Sequence, residues 1–122
     1  MSIAIGASVL DSSLYIPELR LKRRESALHE LAELAHQAGI ARDPALLHDT
    51  LLLRERAGST ALGKGVAVPN ARSISVIESR LVVARSRRGI PWDARDDQPV
   101  QLVLLALSPA EHSEELHFEL VA

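Results

Sequence analysis

Gly58-Ser59-Thr60-Ala61-Leu62-Gly63-Lys64-Gly65-Val66-Ala67-Val68-Pro69-Asn70-Ala71-Arg72 is the stretch on which the reading of this chain turns. Three of the six glycines fall between positions 58 and 65, the apolar run Val66–Val68 follows as a short strand, and Pro69 stops it. A glycine-rich turn frees backbone N–H groups for a phosphate or other anion. A side chain just past the carboxyl end of a strand is well placed for chemistry, and Asn70 holds that position.

Working outward, two helices lead into this loop. Arg23–Ala38 is amphipathic: Leu28, Leu31, Leu34, Ala35 and Ala38 recur at three- and four-residue steps, while Glu25, Glu30, Glu33 and Gln37 point away. Gly39 supplies a left-handed C-terminal cap with Ile40 as its apolar contact. Asp43-Pro44 opens the second helix as N-cap and first-position proline. Its buried stripe is Leu47, Leu51 and Leu52, it runs to about Arg56, and Gly58 ends it. Before them, Leu19-Arg20-Leu21-Lys22 alternates as a short half-buried strand, and residues 1–13 read as a lead-in segment or part of an edge strand.

Beyond the loop, Arg80–Arg85 and Val100–Leu107 are apolar on both faces, with Gln101 the only polar residue of the second run. Strands without alternation are covered on both sides, so the expected architecture is α/β, a β-sheet with helices on both faces. Residues 87–93 and 96–99 read as turn-rich loop, and Ser108-Pro109 stops the last strand. A helix then starts near Ser113, with Leu116, Leu120 and Val121 on one side.

At 122 residues the chain fits one domain. Aromatics are only 2%, so the core is built from Leu, Val, Ile and Ala. A net charge of −2 provides no general attraction for nucleic acid or an anionic membrane. With no cysteine, disulfide, thiolate and Cys-based zinc chemistry are excluded, in keeping with a cytoplasmic protein. No run approaches membrane-span length, and the N-terminus lacks a basic region of the secretory type. Gly63-Lys64-Gly65 has neither Walker nor dinucleotide spacing, and His29, His36, His48 and His112 lack metal-ligand spacing and read as surface residues. No cofactor or metal is expected. Arg80, Arg85, Arg87 and Arg88 form a basic cluster, either a solvated rim or a contact for an acidic partner.

Taken together, Gly58-Ser59-Thr60, Gly63 through Pro69, Gly89-Ile90-Pro91-Trp92 and Gln98 through Val103 resemble the enzyme IIA domain of the bacterial phosphotransferase system, of the fructose, mannitol and nitrogen-regulatory type. The likeness runs from Leu14 to Ala122. It implies a mixed β-sheet with helices on both faces, and a domain whose C-terminal helical region is truncated here, the family domain being on the order of 150 residues. The family accepts a phosphoryl group from the phosphocarrier HPr and passes it to a IIB domain, or regulates other proteins.

In that register the family's phosphoacceptor histidine follows the Val-Pro exit, where this chain has Asn70. Neutral imidazole attacks phosphorus through a ring lone pair, whereas the amide nitrogen of Asn delocalises its lone pair and is not nucleophilic. Arg54 matches an arginine that holds the phosphoryl group, and His117 a second active-site histidine; Ser59 and Thr60 are placed to donate into the same pocket. The resemblance thus implies a phosphorylation-incompetent regulatory module that binds an HPr-like carrier or a regulated protein. The alternative is an active phosphoryl-transfer domain, with His117 as acceptor or Asn70 standing for a native histidine. Oligomeric state is not expressed in the sequence.

Overall fold

The structure, a computed structural model, describes residues 14–111. In chain order it consists of β1 (Leu14–Ile16), α1 (Arg24–Gln37), α2 (Pro44–Ala57), β2 (Ala61–Gly63), β3 (Val66–Ala67), β4 (Asn70–Ser73), β5 (Arg80–Ile90) and β6 (Val100–Pro109).

Both helices form where local chemistry places them. After α1, the Gly39 N–H donates to His36 O and the Ile40 N–H to Ala35 O, with Gly39 at φ 79°. This is the paired-bond Schellman closure that only a left-handed residue permits cheaply. At the start of α2, Asp43 Oδ1 accepts from the N–H groups of Ala45 and Leu46, and Pro44 needs no partner for the N–H it lacks. The same turn is docked to the sheet, because Ser75 Oγ accepts from Asp43 N and donates to Asp43 O.

The sheet is mixed, with order β1-β5-β6-β3-β2 and β4 also on β6. β1 runs parallel to β5, β5 antiparallel to β6, and β3 and β4 both parallel to β6. Val66 pairs with Leu102 and Asn70 with Ala106, so β3 and β4 keep one register on β6 across the Val68-Pro69 break. Pro69 has no N–H to give a ladder, yet its carbonyl still accepts from Ala106 N. Asn70, expected beyond a strand's exit, therefore opens a new strand.

Four other expectations change. Leu19–Lys22 is not a strand: Arg20 N and Leu21 N donate to the Glu30 carboxylate and Leu19 N to Arg85 O, while the strand of this region is β1, ending before Pro17. β5 continues through the expected loop to Ile90, and β6 continues through Ser108 to Pro109. β5 also alternates instead of burying both faces. Val82, Ala84, Val103, Leu105 and Leu107 join Leu28, Leu31, Leu47 and Leu51 of the helices in one core, whereas Leu81, Val83, Leu102 and Leu104 are half-buried. The mixed sheet with two helices is the expected α/β architecture. The helix expected near Ser113 lies outside the described residues.

Candidate functional site

α2 ends directly on the loop, and the last turn of that helix organises it. Arg54 is exposed, and its Nη1 donates to Gly58 O at 2.7 Å, a cation at a helix C-terminus where the dipole is negative. Its neighbour Glu55 is turned inward and only 3% exposed. Thr60 N donates to Glu55 Oε2 at 3.0 Å, and Thr60 Oγ1 donates to Glu55 Oε1. The carboxylate thus fastens the turn Gly58–Thr60 back onto the helix that precedes it. Sequence reading missed Glu55; the available signal was an acidic residue on the apolar side of α2, four positions past Leu51.

From Thr60 the bonding passes to the strands. Thr60 O accepts from Val68 N at 3.0 Å, and Val68 O accepts from Asn70 Nδ2 at 3.1 Å. Glu55, Thr60, Val68 and Asn70 therefore form one hydrogen-bonded chain from the helix end to the first residue of β4. Asn70 is half-buried, with its backbone beside Ala106. Ser59 is committed differently: its Oγ donates to Trp92 O at 3.3 Å and accepts from Ala61 N. His117 lies outside the described residues, as does His112.

The glycine turn plays another part than the anion cradle expected of it. β2 and β3 form a hairpin whose central residues Lys64 and Gly65 have φ 56° and 81°, the paired left-handed geometry of a type I′ turn. Its free N–H is answered internally, since Lys64 N donates to Asp96 Oδ2 at 2.8 Å. Those N–H bonds, first from Lys64 and then from Gln98, hold the Asp96 carboxyl below its ordinary value of 3.8. Gly65 O accepts from Gln101 N, so the turn sits level with Gln101 on β6, whereas Asn70 sits level with Ala106. That interval is about 16 Å of strand. The glycines shape the hairpin; the Glu55-braced turn and the Pro69 break position Asn70.

Three other arrangements bear on the site. Trp92 is 1% exposed, and its indole N–H finds no acceptor among the described residues. Of the basic cluster, Arg80 pairs with Glu78 at the Leu107 end of the sheet, while Arg85, Arg87 and Arg88 gather at the opposite end. No described helix is long and apolar enough to cross a membrane.

Comparison with known proteins gives this geometry its family. Residues 8–122 match the model described as the phosphoenolpyruvate-dependent sugar phosphotransferase system, EIIA 2. The chain is 35% identical over 99 residues to the "PTS system fructose-specific EIIA component" of Haloferax volcanii, covering 81% of this chain and 64% of that protein. It is 36% identical over 94 residues to a "Nitrogen regulatory protein" of Bradyrhizobium diazoefficiens, covering 77% and 61%. It therefore spans somewhat under two thirds of the length of these relatives. Among solved structures it is similar to nitrogen regulatory protein IIA-Ntr from Neisseria meningitidis, with TM-score 0.73 and 29% identity over 88% of this chain and 70% of that one. The mixed sheet on two helices, the residues 8–122 matched and these relatives together show that the chain belongs to the EIIA 2 family of the phosphotransferase system.

Proposed function

We propose that this chain is a regulatory, protein-binding member of its family that does not itself carry phosphate. The observation behind this is Asn70: the family resemblance puts the phosphoacceptor at this position, and the side chain there is an amide whose nitrogen donates to Val68 O. An amide nitrogen has no basic lone pair with which to attack phosphorus, so no phosphoramidate forms. The surrounding parts fit recognition. Arg54 presents a guanidinium at the end of α2, and among the described residues only one of its five N–H groups is committed, to Gly58 O. Thr60 is locked by Glu55, which holds the backbone of the loop in place. The site set that the family resemblance implies is Arg54, Ser59, Thr60, Asn70 and His117; of these, Ser59 and Thr60 give their hydroxyl protons to Trp92 O and Glu55 and so would shape the loop. The module would engage an HPr-like carrier or a regulated protein permanently in the unphosphorylated form. Relatives that are named nitrogen regulatory proteins support the regulatory side of this reading.

The test is incubation of the chain with phosphoenolpyruvate, enzyme I and HPr, followed by intact-mass measurement at neutral pH. The expected result is no phosphoryl increment on the wild-type chain and an acid-labile increment on Asn70→His. An acid-labile adduct on the wild-type chain, at His117 or elsewhere, overturns the proposal in favour of active phosphoryl transfer. An unmodified Asn70→His variant shows that the pocket or carrier-docking surface differs in more than this residue.

A further inference from the structure

At the far end of the sheet from Asn70, the segment that follows β1 and the second half of β5 border an open cleft of about 610 Å³, lined by Pro17, Glu18, Lys22, Arg85, Arg87 and Arg88. Four cations face one carboxylate, a local charge of +3 on a chain whose net charge is −2. The arginines are brought together by the backbone. Between the β5–β6 pairs Arg85–Leu102 and Ile90–Val100 the register shifts, so β5 carries extra residues there. Normal alternation would put one of two consecutive residues inside; the bulge instead leaves both Arg87 and Arg88 exposed while Ser86 and Gly89 are buried. Gly89 makes this possible: it has φ 84°, and a Cβ there would lie 2.6 Å from Pro99 Cβ. The bulge is therefore a built feature of the fold, and its effect is to aim two guanidinium groups outward beside a third.

The hydrogen bonds separate committed from available charge. Lys22 Nζ donates to Glu18 Oε2, Leu19 O and Ser86 Oγ, which uses all three ammonium protons. Glu18 also accepts from the Arg87 backbone N–H. Among the described residues, Arg85 has only its Nε hydrogen-bonded, to Pro17 O, and Arg87 and Arg88 form no side-chain hydrogen bond. Glu18, exposed at the rim, is the one carboxylate among the lining residues, and it is held below its ordinary acidity value of 4.5 first by Lys22 and then by the Arg87 N–H, which leaves the guanidinium groups of the arginines to other anions.

We infer that this cleft is a docking surface for an acidic segment of a partner protein, with spaced carboxylates pairing with the guanidinium groups of Arg85, Arg87 and Arg88. A peptide fits better than a small free anion because every lining side chain is exposed or half-buried, so none of the described residues closes over a compact ligand, whereas carboxylates along a chain reach all three forks at once. The surface is separate from the Asn70 site, about 13 Å along the strands and two strand spacings across, so it does not depend on whether the chain carries phosphate.

The experiment titrates the full chain, isotope-labelled for amide spectra, with a labelled alternating Glu-Ser peptide. The Gln-Ser counterpart, inorganic phosphate and a single-stranded oligonucleotide are titrated in parallel. The expected result is binding of the Glu-Ser peptide, with amide shifts centred on residues 85–89 and Glu18, and weakening as salt rises. The double variant Arg87→Glu, Arg88→Glu should bind it at least about tenfold more weakly. Both positions are exposed, so its melting temperature should match the wild type and loss of binding will not reflect loss of fold. Equal binding by the double variant or by the Gln-Ser peptide overturns the inference. So does a response of these amides to phosphate or the oligonucleotide with none to the Glu-Ser peptide.

Discussion

Glu55 is a carboxylate buried in the last turn of α2, where the helix dipole is itself negative. Such a group stands only when donors surround it, and Thr60 supplies two, its N–H and its hydroxyl. Removing the carboxylate leaves both Thr60 groups without their acceptor in a buried place. Glu55→Ala should therefore destabilise the chain by about 1–3 kcal/mol, measured by urea unfolding. Arg54→Ala, one residue earlier but exposed, should cost less than about 1 kcal/mol. The comparison separates the two: a larger loss at Glu55 is expected if Glu55 holds the loop and Arg54 contributes only its exposed bond to Gly58 O. Equal losses would mean that Arg54 is structural as well. By helix pattern both are ordinary charges on α2; the family resemblance singled out Arg54, whereas only the inward turn of Glu55 reveals its part.

Among the elements, the β2–β3 hairpin shows how one carboxylate secures a strained turn. Lys64 is a non-glycine residue at φ 56°, and its N–H is held by Asp96 from the loop before β6. The Asp96 carboxyl is held below its ordinary value of 3.8, so the contact is at full strength above that value. It weakens as pH falls through the lower folded-state value, because the ionised form is the stronger acceptor. Hydrogen exchange of the Lys64 amide should accordingly speed up in Asp96→Ala, which removes the acceptor, already at neutral pH. In the wild type, the amide signal of Lys64 should move only below about pH 4. An Asp96→Ala variant with unchanged Lys64 exchange would show that the turn holds itself. The glycines that drew attention in the sequence thus act at the sheet's edge, as turn residues, and the anion they meet is the chain's own.

For the molecule as a whole, one core links every layer. Leu105 from β6, Val82 from β5, Leu31 from α1 and Leu51 from α2 are all at most 1% exposed in a single cluster that also contains Trp92. Leu105→Ala should cost about 2–5 kcal/mol, since the cavity opens between sheet and helices that cannot close independently. Because Trp92 is the only tryptophan, its fluorescence reports this core, and it should lose native signal at the same denaturant concentration as the helical circular dichroism. An earlier fluorescence transition would show that the strand layer melts apart from the helices.

What the sequence by itself determined was everything carried over a few residues. The bounds of both helices, the Asp43-Pro44 start, the Gly39 closure and the apolar identity of β5 and β6 follow from capping and periodicity, which are local. The glycine and Val-Pro frame was enough for the family resemblance that the match over residues 8–122 bears out. Tertiary structure decided the rest, because the deciding partners lie far away along the chain. Glu30 captures the N–H groups of Arg20 and Leu21 and removes an apparent strand. Asp96 claims the glycine turn, and the parallel register on β6 converts Asn70 from a loop residue into the first residue of β4. Long-range pairing has no period and no cap to announce it; it is chosen by which buried N–H and C=O groups find partners when the sheet closes.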